Sequence, residues 1–277
     1  MGKKQTRNFR LGTTSFIYPG HIIPNVKKIG RFFDEIELLV FESQYKGQSV
    51  LPPPSDIREL KTLGRDLDLT YNIHLPVDVS LTHSCARERQ RAVDTLHQVL
   101  DLFEPLGPTT HTLHLDMDRD LTGQQELRNW EDQARRGLDL LAPGLTDPGI
   151  ISLETLWYDP VLLAPLVRDY GMSVCLDAGH HFKYNYDLKA SFDLFKEKIA
   201  LIHFHGVDFS GPDPKDHLGL GCLPENLFDQ AMELLADYKG TVSLEVFNLA
   251  NLEDSLDRLG QIFSDIPSMP NCKVDKI

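Results

Sequence analysis

Short apolar segments alternate with longer amphipathic segments along the whole chain. The short runs predict eight β-strands at Arg10–Phe16, Glu35–Phe41, Leu69–Leu75, Thr110–Asp116, Ile150–Thr155, Ser173–Asp177, Ala200–His205 and Val242–Phe247. The segments between and after them carry apolar residues at helical spacing, and predict helices at Pro24–Phe33, Asp56–Leu67, Arg87–Glu104, Gln124–Leu141, Pro160–Tyr170, Leu188–Lys198, Pro224–Tyr238 and Asn251–Phe263. This alternation is typical of parallel strands joined by helical crossovers.

Eight strand–helix units predict an α/β protein with a (β/α)₈ TIM barrel. The chain has 277 residues, and roughly 250 residues is typical of that fold. We expect a single domain over residues 10–266, with an N-terminal tail at 1–9 and a C-terminal tail at 267–277. A doubly wound parallel sheet is the alternative that periodicity leaves open.

Composition restricts the class of protein. The chain has 41 acidic and 28 basic residues, for a net charge of −13, which argues against a nucleic-acid-binding protein. It contains no apolar run of about 18 residues that could span a membrane, and no secretory signal follows its basic start. Its four cysteines form no C-x-x-C pair. We therefore expect a cytoplasmic protein that binds neither nucleic acid nor a membrane; its oligomeric state stays open.

Ionisable residues occur repeatedly at the carboxyl ends of the predicted strands. In a TIM barrel these ends form the active-site face. Six consecutive strands end in possible metal ligands, namely His74, His114 with Asp116, Glu154, Asp177 with His180, His203 with His205 and Asp208, and Glu245, while Asp216 and His217 follow in the loop after the seventh strand. A charge at the end of a buried strand is costly unless it is paired or coordinated. We interpret the set as a metal site.

Each residue taken alone has a simpler explanation. A lone histidine such as His74 is often structural, and Glu154 or Glu245 could pair with an arginine. Asp177 and His180 have the spacing of a turn capped by an aspartate. The other histidines, His21, His83, His97 and His111, follow no such pattern and are expected to be structural or on the surface, and His181 fits less well than its neighbour.

The ligand types and their number suggest the metal. Imidazole and carboxylate without thiolate suit zinc, manganese or iron, of which zinc is our first expectation. A catalytic zinc ion typically uses three protein ligands, so a set of this size predicts two or three divalent ions. Paired ions are suited to chemistry on a phosphate ester.

The ordered set of motifs resembles the xylose-isomerase-like superfamily of TIM barrels, which includes endonuclease IV and many sugar isomerases and epimerases. The resemblance runs from Leu11 to about Phe263. It rests on His74 in Asn-Ile-His-Leu-Pro, His114 in Leu-His-Leu-Asp, Glu154 in Ser-Leu-Glu-Thr-Leu, Asp177 and His180 in Cys-Leu-Asp-Ala-Gly-His, His205 in His-Phe-His-Gly-Val-Asp, His217 in Asp-His-Leu-Gly-Leu-Gly, and Glu245 in Ser-Leu-Glu-Val-Phe.

The endonuclease branch of this superfamily implies a three-zinc centre. The first ion would bind His74, His114 and Glu154. Glu154 would bridge to a second ion on Asp177, His205 and Glu245. The third would use His180, His217 and an aspartate two residues before that histidine. Here that position is Lys215 and the aspartate is the adjacent Asp216, so either the third ion is absent or Asp216 reaches it by a different path.

The sugar isomerase and epimerase branch implies a single ion on Glu154, Asp177, His205 and Glu245, generally without the histidines that match His74 and His114. Their presence favours the phosphodiester branch. Within it, the opening Leu11-Gly12-Thr13-Thr14-Ser15-Phe16-Ile17-Tyr18-Pro19 is similar to the cobamide-remodelling phosphodiesterases. That resemblance implies opening of the nucleotide loop of a cobamide, with release of cobinamide.

The expected roles follow from this resemblance. Glu154, Glu245, His180 and His217 would take part in catalysis, His203 would contact the phosphate or support a ligand, and Asp208 would orient a histidine ring. Aromatic residues near the expected mouth would supply apolar walls for the substrate, or else simply pack loops: Phe16, Tyr18, Trp157, Tyr158, Phe182, Tyr184 and Tyr186. The alternatives are a sugar epimerase or isomerase with one ion, and a non-catalytic corrinoid- or metal-binding protein.

Overall fold

Eight parallel strands close into a barrel in the computed structural model, which describes residues 4–121 and 123–269. The strands are β1 (Arg10–Thr14), β2 (Glu35–Leu39), β3 (Thr70–His74), β4 (His111–Leu113), β5 (Ile151–Glu154), β6 (Ser173–Asp177), β7 (Ile199–Phe204) and β8 (Thr241–Leu244). They follow one another around the barrel in chain order, and β8 returns to pair with β1. The predicted single-domain (β/α)₈ fold is confirmed, and the doubly wound alternative is wrong.

Helices cover the outside of the barrel and bury one face against it. They are α1 (Ile22–Ile29), α2 (Pro54–Leu67), α3 (Ala86–Phe103), α4 (Gln124–Leu141), α5 (Ala164–Tyr170), α6 (Ala178–Tyr184), α7 (Leu188–Phe195), α8 (Glu225–Leu235) and α9 (Leu249–Leu259). In α3, for example, Val93, Leu96 and Val99 are buried at the spacing that places them on one side of a helix. Helix α2 begins with Pro54, whose missing N–H costs nothing in the first turn.

The structure adds α6 and two short hairpins to the predicted elements. Asp177 Oδ1 accepts the His180 N–H at 2.7 Å, and this cap begins a helix of seven residues where the spacing suggested only a turn. One hairpin pairs Gln44–Tyr45 with Gln48–Ser49. The other pairs Gly206–Asp208 with Lys215–Leu218. Both α6 and the second hairpin carry side chains that belong to the candidate site.

Polar side chains fill part of the barrel interior below the site. Glu35 and Glu37, two apart on β2, are both completely buried. The Glu35 carboxylate accepts hydrogen bonds from Thr70 Oγ1 at 2.7 Å and Asn72 Nδ2 at 2.8 Å. Glu37 accepts one from Ser243 Oγ at 2.8 Å. Since a buried carboxylate is stable only when it is hydrogen-bonded or paired, this layer forms a polar floor beneath the strand ends.

The first and last strands meet through long-range hydrogen bonds. Thr13 Oγ1 donates to the carbonyl of Leu244 at 3.0 Å, and Thr14 Oγ1 donates to that of Val246 at 2.7 Å. Strand β1 also pairs with β2 on its other side. The barrel is therefore closed at β1, without a free strand edge.

The segment predicted as the N-terminal tail packs against the end of the barrel from residue 4 onward. Gln5 exchanges backbone hydrogen bonds with Ile262 and Ser264 at 3.2 and 2.9 Å. Phe9 packs edge-on against Phe263 with ring centroids 5.4 Å apart. Residues 270–277 of the predicted C-terminal tail lie outside the described residues. Within residues 4–121 and 123–269, no helix combines the length and the apolar character needed to cross a membrane.

We predict that His111 makes the fold sensitive to acid. This histidine of β4 is buried, and burial lowers its pKa from 6.5 to about 4. In the unfolded chain His111 therefore binds a proton below about pH 6.5, whereas in the folded chain it stays neutral until about pH 4. The free energy of unfolding should fall across that window by about 3 kcal/mol because of this group. Urea unfolding at pH 7 and pH 4.5 should show a smaller loss for His111→Leu than for the wild type.

The exposed His21 supplies the matched control for this measurement. His21→Leu should lose the same stability between pH 7 and pH 4.5 as the wild type. An equal acid sensitivity of His111→Leu and the wild type would contradict the prediction.

Candidate functional site

The predicted ligands converge at the carboxyl ends of the strands. His74, Glu154 and Asp177 are the last residues of β3, β5 and β6. His114, His205 and Glu245 each stand one residue beyond β4, β7 and β8. All of them are buried except His114, which is partly exposed to a cavity at the barrel mouth. Position at the end of a parallel strand is what brings residues distant in sequence together.

Glu154 lies at the centre of this cluster, and its two carboxylate oxygens face different groups. Oε2 is 2.8 Å from His114 Nε2 and 3.5 Å from His74 Nε2. Oε1 is 3.6 Å from His180 Nδ1 and 3.6 Å from His203 Nδ1. One ligand atom each of His74, His114 and Glu154 lies within 4.8 Å of the others, as an ion would require. Glu154 thus has the geometry of a bridging carboxylate.

A second group of ligands lies on the other side of Glu154. Asp177 Oδ1 is 3.2 Å from His205 Nε2. Ligand atoms of Glu154, Asp177, His203 and Glu245 also come within 4.8 Å of one another. The expectation for this position was Glu154, Asp177, His205 and Glu245, so the structure brings the three carboxylates together as expected and adds His203 beneath them.

The third group contains His180, His205 and His217, with Asp216 beside them. Their ligand nitrogens lie within 4.8 Å of one another, and His180 Nε2 is 4.0 Å from Asp216 Oδ2. Neighbouring residues of a strand normally point to opposite sides. The backbone of His217 is left-handed, with φ of 53°, and Asp216 and His217 both line the cavity. Asp216 therefore reaches this group although its spacing departs from the family pattern.

The electrostatics of the cluster favour bound cations. Burial alone would raise the pKa of Glu154, but the charges of His114 and His203 hold it well below its usual value. Burial alone would lower the pKa of His205, but Asp177 raises it to about 9. The carboxylates are therefore ionised at neutral pH, and in the absence of metal the buried imidazoles facing them hold protons. Metal binding would displace those protons.

The donor atoms fit divalent ions. Asp177 Oδ2, His205 Nε2 and Glu245 Oε2 are buried and make no well-aligned hydrogen bond among the described residues. They face other members of the cluster at 3.0–3.2 Å, an arrangement that a bound ion would complete. His74 Nδ1 lies 3.0 Å from the carbonyl of Leu75, an arrangement that leaves Nε2 free to coordinate. Imidazole and carboxylate donors of this kind suit zinc, manganese or iron.

A cavity of about 520 Å³ opens over the ligands. Its walls are mostly apolar, and they include Phe41, Val77, Leu156, Trp157, Tyr184 and Phe247. Arg119 brings a positive charge to the wall, with its guanidinium 4.8 Å from the Trp157 ring centroid and 5.8 Å from that of Tyr184. A cavity of this size and character accommodates a ligand the size of a nucleotide.

Of the eight residues expected to contact substrate, Trp157 and Tyr184 line this cavity and six do not. Two of the six, Phe182 and Tyr186, border a separate cavity. Phe16 is exposed outside it. Tyr18 is held by Asn25, whose Oδ1 accepts its N–H at 2.8 Å, and by Lys28 over its ring. Tyr158 is buried against Trp130.

His203, the last of the six, is completely buried beneath the carboxylates. Its Nε2 is 3.0 Å from Glu37 Oε1, and its Nδ1 is 3.2 Å from Glu245 Oε2. This contact places it behind the ligands rather than on the cavity wall. Asp208, expected to orient a histidine, instead accepts the N–H of Ser210 at 2.8 Å.

Several residues of the site were not predicted from the sequence. Glu37 could have been predicted from the sequence, because a glutamate in the middle of a strand buried on both faces requires a polar partner. Arg119 lies in the loop between β4 and α4, and Lys183 lies in α6. The periodicity of the sequence predicts the position of neither. Phe41 and Phe247 were assigned to strands, whereas both strands end before them.

The sequence profile of the xylose isomerase-like TIM barrel family matches residues 23–262. A D-tagatose 3-epimerase-like protein superposes with a TM-score of 0.75 at 19% identity, covering 93% of this chain and 98% of that one. Endonuclease IV from Thermus thermophilus superposes with a TM-score of 0.65 at 17% identity, covering 91% of this chain and 99% of that one. The 3-keto-D-glucoside 4-epimerase of E. coli superposes with a TM-score of 0.66 at 14% identity, covering 92% of this chain and 98% of that one.

No curated protein sequence matches the chain. At these levels of identity the structural neighbours show the fold alone. They include two epimerase-type proteins and an endonuclease, so the choice between these chemistries has to come from the site.

Proposed function

This chain belongs to the xylose isomerase-like TIM barrel family, and from that premise we propose that it is a metal-dependent phosphodiester hydrolase. The observation that carries the proposal is the position of Glu154. One of its oxygens faces His74 and His114, and the other faces the group around Asp177 and His203. A carboxylate shared between two ligand groups is suited to two ions held close together, as in two-metal phosphatases and nucleases.

The residues divide the work of such a reaction. His74, His114 and Glu154 would hold one ion, and Asp177, His205 and Glu245 would hold the other together with Glu154. Ions bound there would supply Lewis-acid stabilisation of phosphoryl oxygens and would lower the pKa of water to about 7. His180 and His217 border the cavity, where their N–H groups can hydrogen-bond the oxygen that leaves phosphorus.

We propose the nucleotide loop of a cobamide as the substrate. The cavity volume suits a base, a ribose and a phosphate, while the much larger corrin ring would remain at the mouth. Trp157 and Tyr184 offer aromatic faces for the base, and Arg119 stands over both rings, where it can pair with the phosphate. Water would add across one P–O bond, giving the phosphate a hydroxyl group and the leaving oxygen a proton, and cobinamide or its phosphate would be released.

A sugar isomerase or epimerase is the second candidate. Glu154 Oε1 and Glu245 Oε2 lie 3.6 and 3.2 Å from the same nitrogen, His203 Nδ1. Two carboxylates this close could also move protons on a substrate beside a single ion. Under this alternative the ion held by His74 and His114 has no role.

We predict that the zinc- or manganese-loaded protein converts a purinyl cobamide to cobinamide or cobinamide phosphate. Liquid chromatography with mass spectrometry of the corrinoid products identifies the bond that is cut. The same protein stripped of metal by a chelator is the matched control and should leave the cobamide intact. Bis(4-nitrophenyl) phosphate serves as a second probe of phosphodiester cleavage.

Each outcome of this assay has a defined meaning. Cleavage of the nitrophenyl diester with the cobamide untouched would support the hydrolase and overturn its cobamide substrate. Neither cleavage, together with epimerisation of a ketose by the loaded protein, would overturn the hydrolase and establish the second candidate.

A further inference from the structure

Lys183, near the end of α6, binds the acidic residue whose spacing departs from the family pattern. Its Nζ donates to Asp216 Oδ2 at 2.8 Å, and the two side chains are only 13% and 23% exposed. The same oxygen is the one 4.0 Å from His180 Nε2. The Asp216 oxygen that faces the third group of ligands is therefore already paired with an ammonium group.

The geometry of α6 explains why the lysine is there. His180 and Lys183 are three residues apart on one helix, so their side chains lie on the same side of it. The cap at Asp177 that begins α6 therefore places both His180 and the ammonium group next to the hairpin strand Lys215–Leu218. On that strand, the left-handed His217 turns Asp216 toward them.

Lys183 and Asp216 form a mostly buried ion pair beside the third group of ligands. The Lys183 ammonium group, 2.8 Å from Asp216 Oδ2, neutralises the charge of the Asp216 carboxylate. A divalent ion at the same carboxylate would stand close to a fixed positive charge, which opposes its binding.

We propose that the Lys183 ammonium group takes the place of the third cation in this chain. The centre then holds two ions, and His180, Asp216 and His217 are prevented from holding another. This inference rests on the proposed hydrolase, for which Lys183 supplies a positive charge on the side of His180 and His217 without an exchangeable ion. Lys183 acts through Asp216 and is a positioning residue.

The test counts ions rather than turnover. Purified wild type, Lys183→Met and Lys183→Arg are loaded with zinc, passed through a desalting column and measured by inductively coupled plasma mass spectrometry. Lys183→Met should bind one more zinc ion per chain than the wild type, because Asp216 is then free to coordinate. Lys183→Arg keeps the charge and should bind the same number as the wild type. The double variant Lys183→Met/Asp216→Asn should return to the wild-type number.

Lys189→Met is the matched control, since Lys189 is also paired with an aspartate on a helix but is 65% exposed and away from the site. Its zinc content should equal that of the wild type. Equal zinc content in Lys183→Met and the wild type, with both folded by circular dichroism, would overturn the role of Lys183. The proposed hydrolase is tested separately by the zinc content of the wild type. A single zinc ion per wild-type chain would contradict the two-ion hydrolase.

Discussion

Glu154→Gln is expected to abolish turnover while the barrel stays folded. The substitution keeps the size of the side chain but removes the charge that two ligand groups share through separate oxygens. Without it the two positions lose their common ligand, and we expect turnover to fall by about a thousandfold or more, as on removal of a central catalytic group. Steady-state assays with bis(4-nitrophenyl) phosphate and with a purinyl cobamide measure this loss, and zinc content should fall in parallel.

Glu59→Gln provides the comparison, because Glu59 carries the same charge in an exposed ion pair with Lys27. That variant should keep both activity and zinc content. Near-normal activity of Glu154→Gln would be incompatible with two ions bridged by this carboxylate.

Gly179→Ala should weaken metal binding although residue 179 offers no ligand. A Cβ at this position of α6 would lie 2.1 Å from His205 Cε1 and 2.4 Å from His205 Nε2. Either the imidazole must turn away from Asp177, or α6 must move and take His180 with it. We expect zinc affinity to drop by about 100-fold, at the upper end of what the loss of ligand orientation costs. Competition with a chromophoric chelator measures the affinity.

Gly211→Ala is the control for the glycine-to-alanine change itself, since a Cβ added at Gly211 would come no closer than 3.8 Å to Asp213 O. It should bind zinc as the wild type does. If Gly179→Ala also binds zinc with unchanged affinity, His205 is not a ligand in the way we describe.

The barrel was predictable because its periodicity is local. A strand buried on both faces reads as a short apolar run, and a helix packed on one side reads as a repeat of 3.6 residues. The predicted strands extend too far at their carboxyl ends, as at Phe41 after β2. Phe41 is apolar like the residues of the strand, but it lies beyond the last strand residue, Leu39, and lines the cavity.

The ligand cluster was predictable for a different reason, which is that parallel strands bring their carboxyl ends to one face. That argument places His74, Glu154 and Glu245 without any knowledge of contacts. It does not place Lys183, whose position depends on α6, a short helix that Asp177 caps. Nor does it show that Tyr18 leaves the mouth, since its bond to Asn25 forms only when the loop before α1 folds back.

The pairing of β1 with β8 has a consequence for the order in which the chain can fold. Thr13 and Leu244, which share a hydrogen bond across that seam, are 231 residues apart in sequence. Contacts of such long range require closure of a large loop, and they slow folding relative to local ones. Until β8 docks, β1 and β7 each present an unpaired edge that can join a neighbouring chain. The closing seam is therefore where incomplete folding of this barrel would lead to aggregation.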